Sequence, residues 1–346
     1  MRIIPDSPNS QNPETPYWDN TGQVTRTLYR LKSNGALFCK AMGKNASLKR
    51  LLITRFPYLF HDSYYPPSMH IEFTNDCNLR CIYCNNPHFP SPRRMMDEET
   101  FNNLITQIKN SKIDRICIGG GEATIHPNFN EYVFRLAKVS KILTIVTNGH
   151  WKDKEIPYTL LRAPVDFIEI SVEAGSRNDF EKTRLGSNYD LIINNLKELK
   201  RIRKELRSRS HINFRMMVRP SQKGKIESES TRFWKQFGNT VMPQYILKTE
   251  GVTMNSDIFI PRQINLAQYP KCSLPFKNIQ VRCNGDVPVC QISGSSSVSE
   301  KKLIAGNINH ESIDKIWQGL LFRQYRNGHR HGKEELIPIC KGCNGC

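Results

Sequence analysis

The chain has 346 residues, 38% of them hydrophobic, which is enough for one large domain and one small one. No apolar run reaches the length of a membrane span. Lys and Arg number 50 against 32 Asp and Glu, a net charge of +18, so an anionic partner has to be considered. The N-terminus lacks the apolar stretch of a secretory signal, and the 11 cysteines therefore argue against a disulfide framework and for metal ligation in a reducing cytoplasm.

Residues 1 to about 20 are rich in Pro, Asn, Ser and Asp and predict a loosely draped arm. Residues 24–64 hold short mixed segments too few for a core of their own. From His70 the pattern alternates. Apolar strand-like runs fall at 71–74, 113–118, 142–147, 167–172, 212–218 and 241–247. Helical patterns fall between them at 97–110, 128–139, 158–162, 189–207 and 225–237. Strands alternating with helices predict a parallel sheet joined by right-handed crossovers, with fewer units than a closed eight-stranded barrel. Within the fourth of these helices lies a dense basic run, 197–209, in which Leu199, Ile202 and Leu206 recur at helical spacing. Its charges are therefore expected on the solvated face of an amphipathic helix. No aromatic-interleaved basic stripe favours nucleic acid. The expected organisation is an arm and packing segment at 1–65, a core domain at 66–250 and a cysteine-rich domain at 251–346.

The first strand leads directly into Cys77-Asn-Leu-Arg-Cys81-Ile-Tyr-Cys84. Three thiolates in eight residues can hold three corners of a 4Fe–4S cluster and leave one iron open, or bind zinc with a distant fourth ligand. The CxxxCxxC spacing, its place after a strand and the aromatic Tyr83 beside the last cysteine resemble the signature of the radical S-adenosylmethionine (SAM) enzymes. That resemblance implies a partial (β/α)6 barrel and a SAM-binding 4Fe–4S cluster at Cys77, Cys81 and Cys84. It also implies SAM as cofactor, a flavodoxin- or ferredoxin-type electron donor, and a 5′-deoxyadenosyl radical that attacks an unactivated C–H bond. Gly119-Gly-Gly-Glu122 follows the second strand and looks like the family's glycine-rich SAM motif, with Ala123 where the family usually has Pro. The same resemblance assigns Tyr83, Gly120, Gly121, Glu122, Asn148, Ser171, Glu173 and Arg184 to SAM. Glu173 stands where Asp is more usual, and Arg184 could equally be a surface ion pair. Met216 is expected either at the adenine or in the core.

The last 75 residues carry Cys272, Cys283, Cys290, Cys340, Cys343 and Cys346. Their order resembles the SPASM/twitch extensions of radical SAM enzymes. It implies a small C-terminal domain in which Cys272, Cys290, Cys340 and Cys343 hold an auxiliary 4Fe–4S cluster, Cys346 being an alternative to Cys343. A zinc ribbon is the plainer structural reading. Cys283 is a possible hydrogen-atom donor or a buried strand residue, Cys117 is expected to pack in a strand, and Cys39 has no assigned role. The expected activity is C–H activation, by dehydrogenation or epimerisation, of a carbohydrate-like or nucleotide-linked, anionic small molecule. The alternatives are modification of a peptide and, from another class, a zinc-dependent nucleic-acid binder.

Overall fold

The computed structural model divides the chain into two units, Met1–Asp62 and Ser63–Cys346. It describes residues 65–84, 92, 94–111, 113–245, 272, 274–290, 303–331 and 340. The first unit, with Cys39, therefore lies outside the described residues, as do Cys343 and Cys346.

Seven parallel strands form one sheet. In chain order they are β1 (Ser68–Ile71), β3 (Arg115–Ile118), β4 (Ile142–Thr147), β5 (Phe167–Glu173), β7 (His211–Val218), β8 (Thr240–Tyr245) and β9 (Asn278–Val281). Their spatial order is β8-β7-β5-β4-β3-β1-β9, every pairing parallel. Helices return the chain between them: α1 (Glu98–Lys109), α2 (Phe129–Ala137), α3 (Glu155–Arg162), α5 (Tyr189–Glu205) and α6 (Lys225–Lys235). This is the α/β architecture expected from the sequence, six parallel strands joined by helices in an open sheet. The seventh strand, β9, comes from the cysteine-rich segment and pairs with β1, Ile71 opposite Val281.

The period-two alternation of the strands gives the sheet two unlike faces. Met69, Ile71, Ile116, Ile118, Leu143 and Ile145 are among the buried residues of the helix-covered face, and α1 and α2 add Phe101, Leu104, Tyr132 and Leu136. Phe73, just past β1, packs edge-on to Phe101, Phe129 and Tyr132 and so fixes where the cysteine loop begins. Helix α5 buries Ile192, Leu196, Leu199 and Ile202, while Lys197, Lys200, Arg201 and Lys204 stay exposed. The basic run is therefore the solvated face of an amphipathic helix. Among the described residues no helix is long and apolar enough to cross a membrane.

Two short elements escape the periodic pattern. Helix α4 (Arg177–Thr183) starts at a capping box in which Ser176 and Asp179 satisfy each other's backbone. The chain then forms β6 (Arg184–Leu185), which pairs antiparallel with β2 (Arg80–Cys81) inside the cysteine loop, Cys81 opposite Arg184. Two-residue strands carry no hydrophobic period, so no pattern announces them. Beyond β9, β10 (Asp286–Pro288) and β11 (Ile304–Asn307) form an antiparallel pair. Helices α7 (Leu274–Lys277), α8 (Ile313–Trp317) and α9 (Leu320–His331) complete the described C-terminal part.

Candidate active site

The cysteine loop lies at the C-terminal ends of β1, β3, β4 and β5 and is tied to each. The amide of Ile82 donates to the carbonyl of Thr183 (2.9 Å) and that of Cys84 to Cys81 (3.0 Å). Asn78 donates through Nδ2 to the carbonyl of His150 (3.0 Å) and accepts at Oδ1 from Asn148 Nδ2 (2.7 Å). The same Asn148 nitrogen lies 3.7 Å from Cys77 Sγ, and the Leu79 amide lies 3.4 Å from it. None of the described cysteines forms a disulfide. Burial pushes the Cys77 thiol up to about 11, against these two N–H donors, and raises Cys81 as well. Cys77 feels the charge of Cys81, and Cys81 that of Cys84. The three thiols are thus neighbours, although among the described residues no three His, Cys, Asp or Glu side chains converge in metal-binding geometry. Soft thiol donors on one anchored loop, with N–H groups aimed at sulfur, suit an iron–sulfur cluster, and its binding would release the protons that burial retains.

The glycine run packs directly beneath this loop. Gly120 has φ +121° and an added Cβ there would meet the Glu72 side chain at 2.6 Å. At Gly121 a Cβ would lie 1.9 Å from the Asp76 carbonyl oxygen. Side chains are excluded at both positions. The amides of Gly121 and Glu122 hold the loop instead, donating to the carbonyls of Thr74 (3.0 Å) and Asp76 (2.8 Å) respectively.

Glu122 is 2% exposed and its carboxylate turns inward. Oε1 accepts from Thr124 Oγ1 (2.6 Å) and Thr147 Oγ1 (2.7 Å), and Oε2 accepts from the Asn148 amide (2.7 Å). The carboxylate therefore joins the end of β3 to the end of β4. Burial raises its pKa despite these donors. Asn148 in turn orders His150, whose amide donates to Asn148 Oδ1 (2.8 Å).

Glu173, Arg184 and Tyr83 form a second buried knot. Tyr83 donates its hydroxyl to Glu173 Oε1 (2.5 Å) and Arg184 donates Nε to the same oxygen (2.8 Å). Arg184 and Glu173 side chains are 3% and 4% exposed, so the arginine is a buried ion pair rather than a surface one. Burial raises Glu173, and Arg184 opposes that rise. The guanidinium also lies over the Phe180 ring at 5.6 Å. Ser171 stands half-buried on β5, in register with Arg215. Met216 is fully buried on the helix-covered face, and its neighbour Met217 takes the inner one. Of the two expectations for Met216, the core holds.

In the C-terminal part Cys290 and Cys340 pack against the core. Both flank Tyr325, whose pKa is raised by burial and by these two thiols. Cys340 Sγ lies 3.4 Å from His329 Nε2. Cys272 lies near Lys277, whose pKa burial lowers and Cys272 raises. Cys343 lies outside the described residues. Cys283 is 4% exposed, and its amide lies 3.4 Å from Glu72 Oε1. Burial and the Glu72 charge push its thiol up to about 12. Cys117 is half-buried on the inner face of β3 with its thiol also pushed to about 12, by burial and Glu169. The residues sequence reasoning missed are Asn78, Thr147, His150 and Glu72. Only Asn78, next to Cys77, carried any local signal.

Residues 71–220 match the model of the radical SAM superfamily, and residues 272–344 match that of an iron–sulfur cluster-binding domain, SPASM. GTP 3′,8-cyclase of Chlorobaculum tepidum is 31% identical over 113 residues, 32% of this chain and 34% of the cyclase, so the match spans about a third of that relative. Among solved structures, anSMEcpe with bound AdoMet and Cp18Cys peptide has a TM-score of 0.58 at 14% identity, over 80% of this chain and 88% of that one. BtrN in complex with AdoMet and 2-DOIA has a TM-score of 0.51 at 17% identity, over 81% and 93%. At these identities the structural likeness establishes the fold. The radical SAM match displaces the zinc reading of the first cysteine set, and the iron–sulfur cluster-binding match that of the C-terminal set.

Proposed function

We propose that this chain, which matches the radical SAM superfamily over residues 71–220 and an iron–sulfur cluster-binding domain over residues 272–344, activates a C–H bond of a carbohydrate-like or nucleotide-linked small molecule. Its cofactors are SAM, a SAM-binding 4Fe–4S cluster and an auxiliary 4Fe–4S cluster. When bound, the first cluster and SAM would supply the radical chemistry that removes a hydrogen atom from substrate.

Cys77, Cys81 and Cys84 are the ligands of the SAM-binding cluster. The observation that carries this assignment is the clamp on their loop: Asn148 holds Asn78 at 2.7 Å while its amide is held by Glu122 at 2.7 Å. Gly120 and Gly121 offer backbone to SAM where a side chain would not fit. Asn148 and Ser171 are its polar contacts. Glu122 acts by fixing Asn148, and Glu173, Arg184 and Tyr83 act as one knot that fixes the far side of the loop through Cys81. Cys272, Cys290, Cys340 and Cys343 are the ligands of the auxiliary cluster. Cys283 remains S–H at neutral pH, as a hydrogen-atom donor must, because burial and Glu72 hold its proton. The electron donor is of flavodoxin or ferredoxin type.

A peptide substrate is the second reading, supported by the likeness to anSMEcpe, whose structure contains a peptide. Anaerobic incubation of the reconstituted protein with dithionite and SAM tests the proposal. Release of 5′-deoxyadenosine by wild type, and none by the Cys77→Ala/Cys81→Ala/Cys84→Ala variant, is expected. Equal release by both would contradict it.

A further inference from the structure

The inner face of the sheet is polar where the outer one is apolar. Register puts Gln280 beside His70 and His70 beside Cys117 on that face. Glu169 and Arg215 occupy it from β5 and β7. Their side chains form an ion pair at 2.5 Å, with Arg215 39% exposed and Glu169 13%. The guanidinium reaches far enough inward that its charge, after burial, helps depress His70 to about 4, and its pairing partner Glu169 acts on Cys117. These side chains therefore share the inner face of the sheet. Besides Glu169 Oε2 and Arg215 Nε, which face each other as an ion pair without a hydrogen bond, two polar atoms of this face lack any hydrogen-bond partner: Oε1 of Gln280, a residue 8% exposed, and Nδ1 of His70. Glu72, the residue after β1, lies at the upper end, with Oε1 3.4 Å from the Cys283 amide.

The charges decide what fits. The single guanidinium among these residues is already neutralised by Glu169, His70 is uncharged at neutral pH, and Glu72 adds a carboxylate. A phosphate or carboxylate entering here would lose its water and meet no unpaired cation among the described residues. A hydroxyl both donates and accepts, which matches unpartnered Gln280 and His70 atoms beside a carboxylate–guanidinium pair. An amine is further favoured by the carboxylates.

We propose that this inner face seats the substrate and takes a hydroxyl- or amine-bearing, non-anionic ring, with Gln280, His70 and the Glu169–Arg215 pair as its hydrogen-bonding partners. The proposal rests on the C–H activation reading above and narrows it, since the positive net charge suggests an anion and the inner face does not. The many surface cations, such as those of α5, lie on the solvent side.

Saturation-transfer NMR on the reconstituted, oxidised holoenzyme with SAM tests this, using myo-inositol, glucosamine and glucose 6-phosphate as probes at up to about 10 mM. Glucosamine and myo-inositol are expected to bind, and glucose 6-phosphate to bind about tenfold more weakly or not at all. Gln280→Leu and the double variant Glu169→Met/Arg215→Met are expected to weaken both sugars about tenfold. Gln280→Glu is expected to raise glucosamine over myo-inositol. Circular dichroism and melting of each variant separate loss of fold from loss of binding. Preferred binding of glucose 6-phosphate, binding of no probe, or equal binding by folded variants would overturn the proposal. Release of 5′-deoxyadenosine by the wild type is scored separately, so failure of the broader reading is recognised on its own.

Discussion

Glu122 shows how a carboxylate can serve a site without facing it. It collects the Thr124 and Thr147 hydroxyls and the Asn148 amide, so truncation would leave buried donors unpaired. Glu122→Ala is expected to lower stability by about 2–4 kcal/mol in urea unfolding, with larger loss of SAM affinity. Burial raises its pKa above the ordinary value of 4.5. A raised folded-state pKa gives stability that is full below the unfolded value and is lost as pH rises through the folded one. The stability of Glu122→Gln relative to wild type should therefore climb as pH rises from about 4.5, and a flat difference would contradict the raised pKa. Gly121→Ala is a harsher change. A Cβ 1.9 Å from the Asp76 oxygen forces the cysteine loop to move, at a cost of about 3 kcal/mol measured by the same unfolding. The cysteines, the glycines and Asn148 were legible because their chemistry needs those residue types at those spacings. The inward turn of Glu122 was not, because a sequence motif says nothing of which way a carboxylate faces. Met216 and Met217 make the same point, since one residue of register decides which of them meets the interior.

At the scale of elements, hydrophobic period carried the reading. Six strands and five helices were legible because each alternates or repeats over several residues. The β2–β6 ribbon was not, being two residues per strand and held by Arg184, whose partner Glu173 is 11 residues away. Removing that arginine leaves a buried carboxylate uncompensated. Arg184→Ala is expected to cost about 3–5 kcal/mol by chemical denaturation, and a double Glu173→Leu/Arg184→Leu variant to recover much of it. Helix α5 offers the contrast between its faces. Leu199→Ala should cost about 2–5 kcal/mol, while Lys204→Ala on the exposed face should stay within about 0.5 kcal/mol. Comparable losses from both would contradict the amphipathic assignment.

For the whole molecule, the instructive element is β9. The sequence suggests a cysteine-rich segment that begins after the core domain, yet Asn278–Val281 pairs with β1 along its full length. Four residues of apolar strand leave no sign of which strand they will join, since partner choice is a tertiary event. The consequence is that Cys283, two residues past β9, lies against Glu72 beside the glycine run. One chain is expected to carry two independent clusters, and iron and sulfide content with Mössbauer spectra after anaerobic reconstitution distinguishes two from one. About eight irons per chain, falling to about four in the Cys77→Ala/Cys81→Ala/Cys84→Ala variant, is the predicted result. About four irons falling to none would contradict it, leaving the C-terminal cysteines without a cluster.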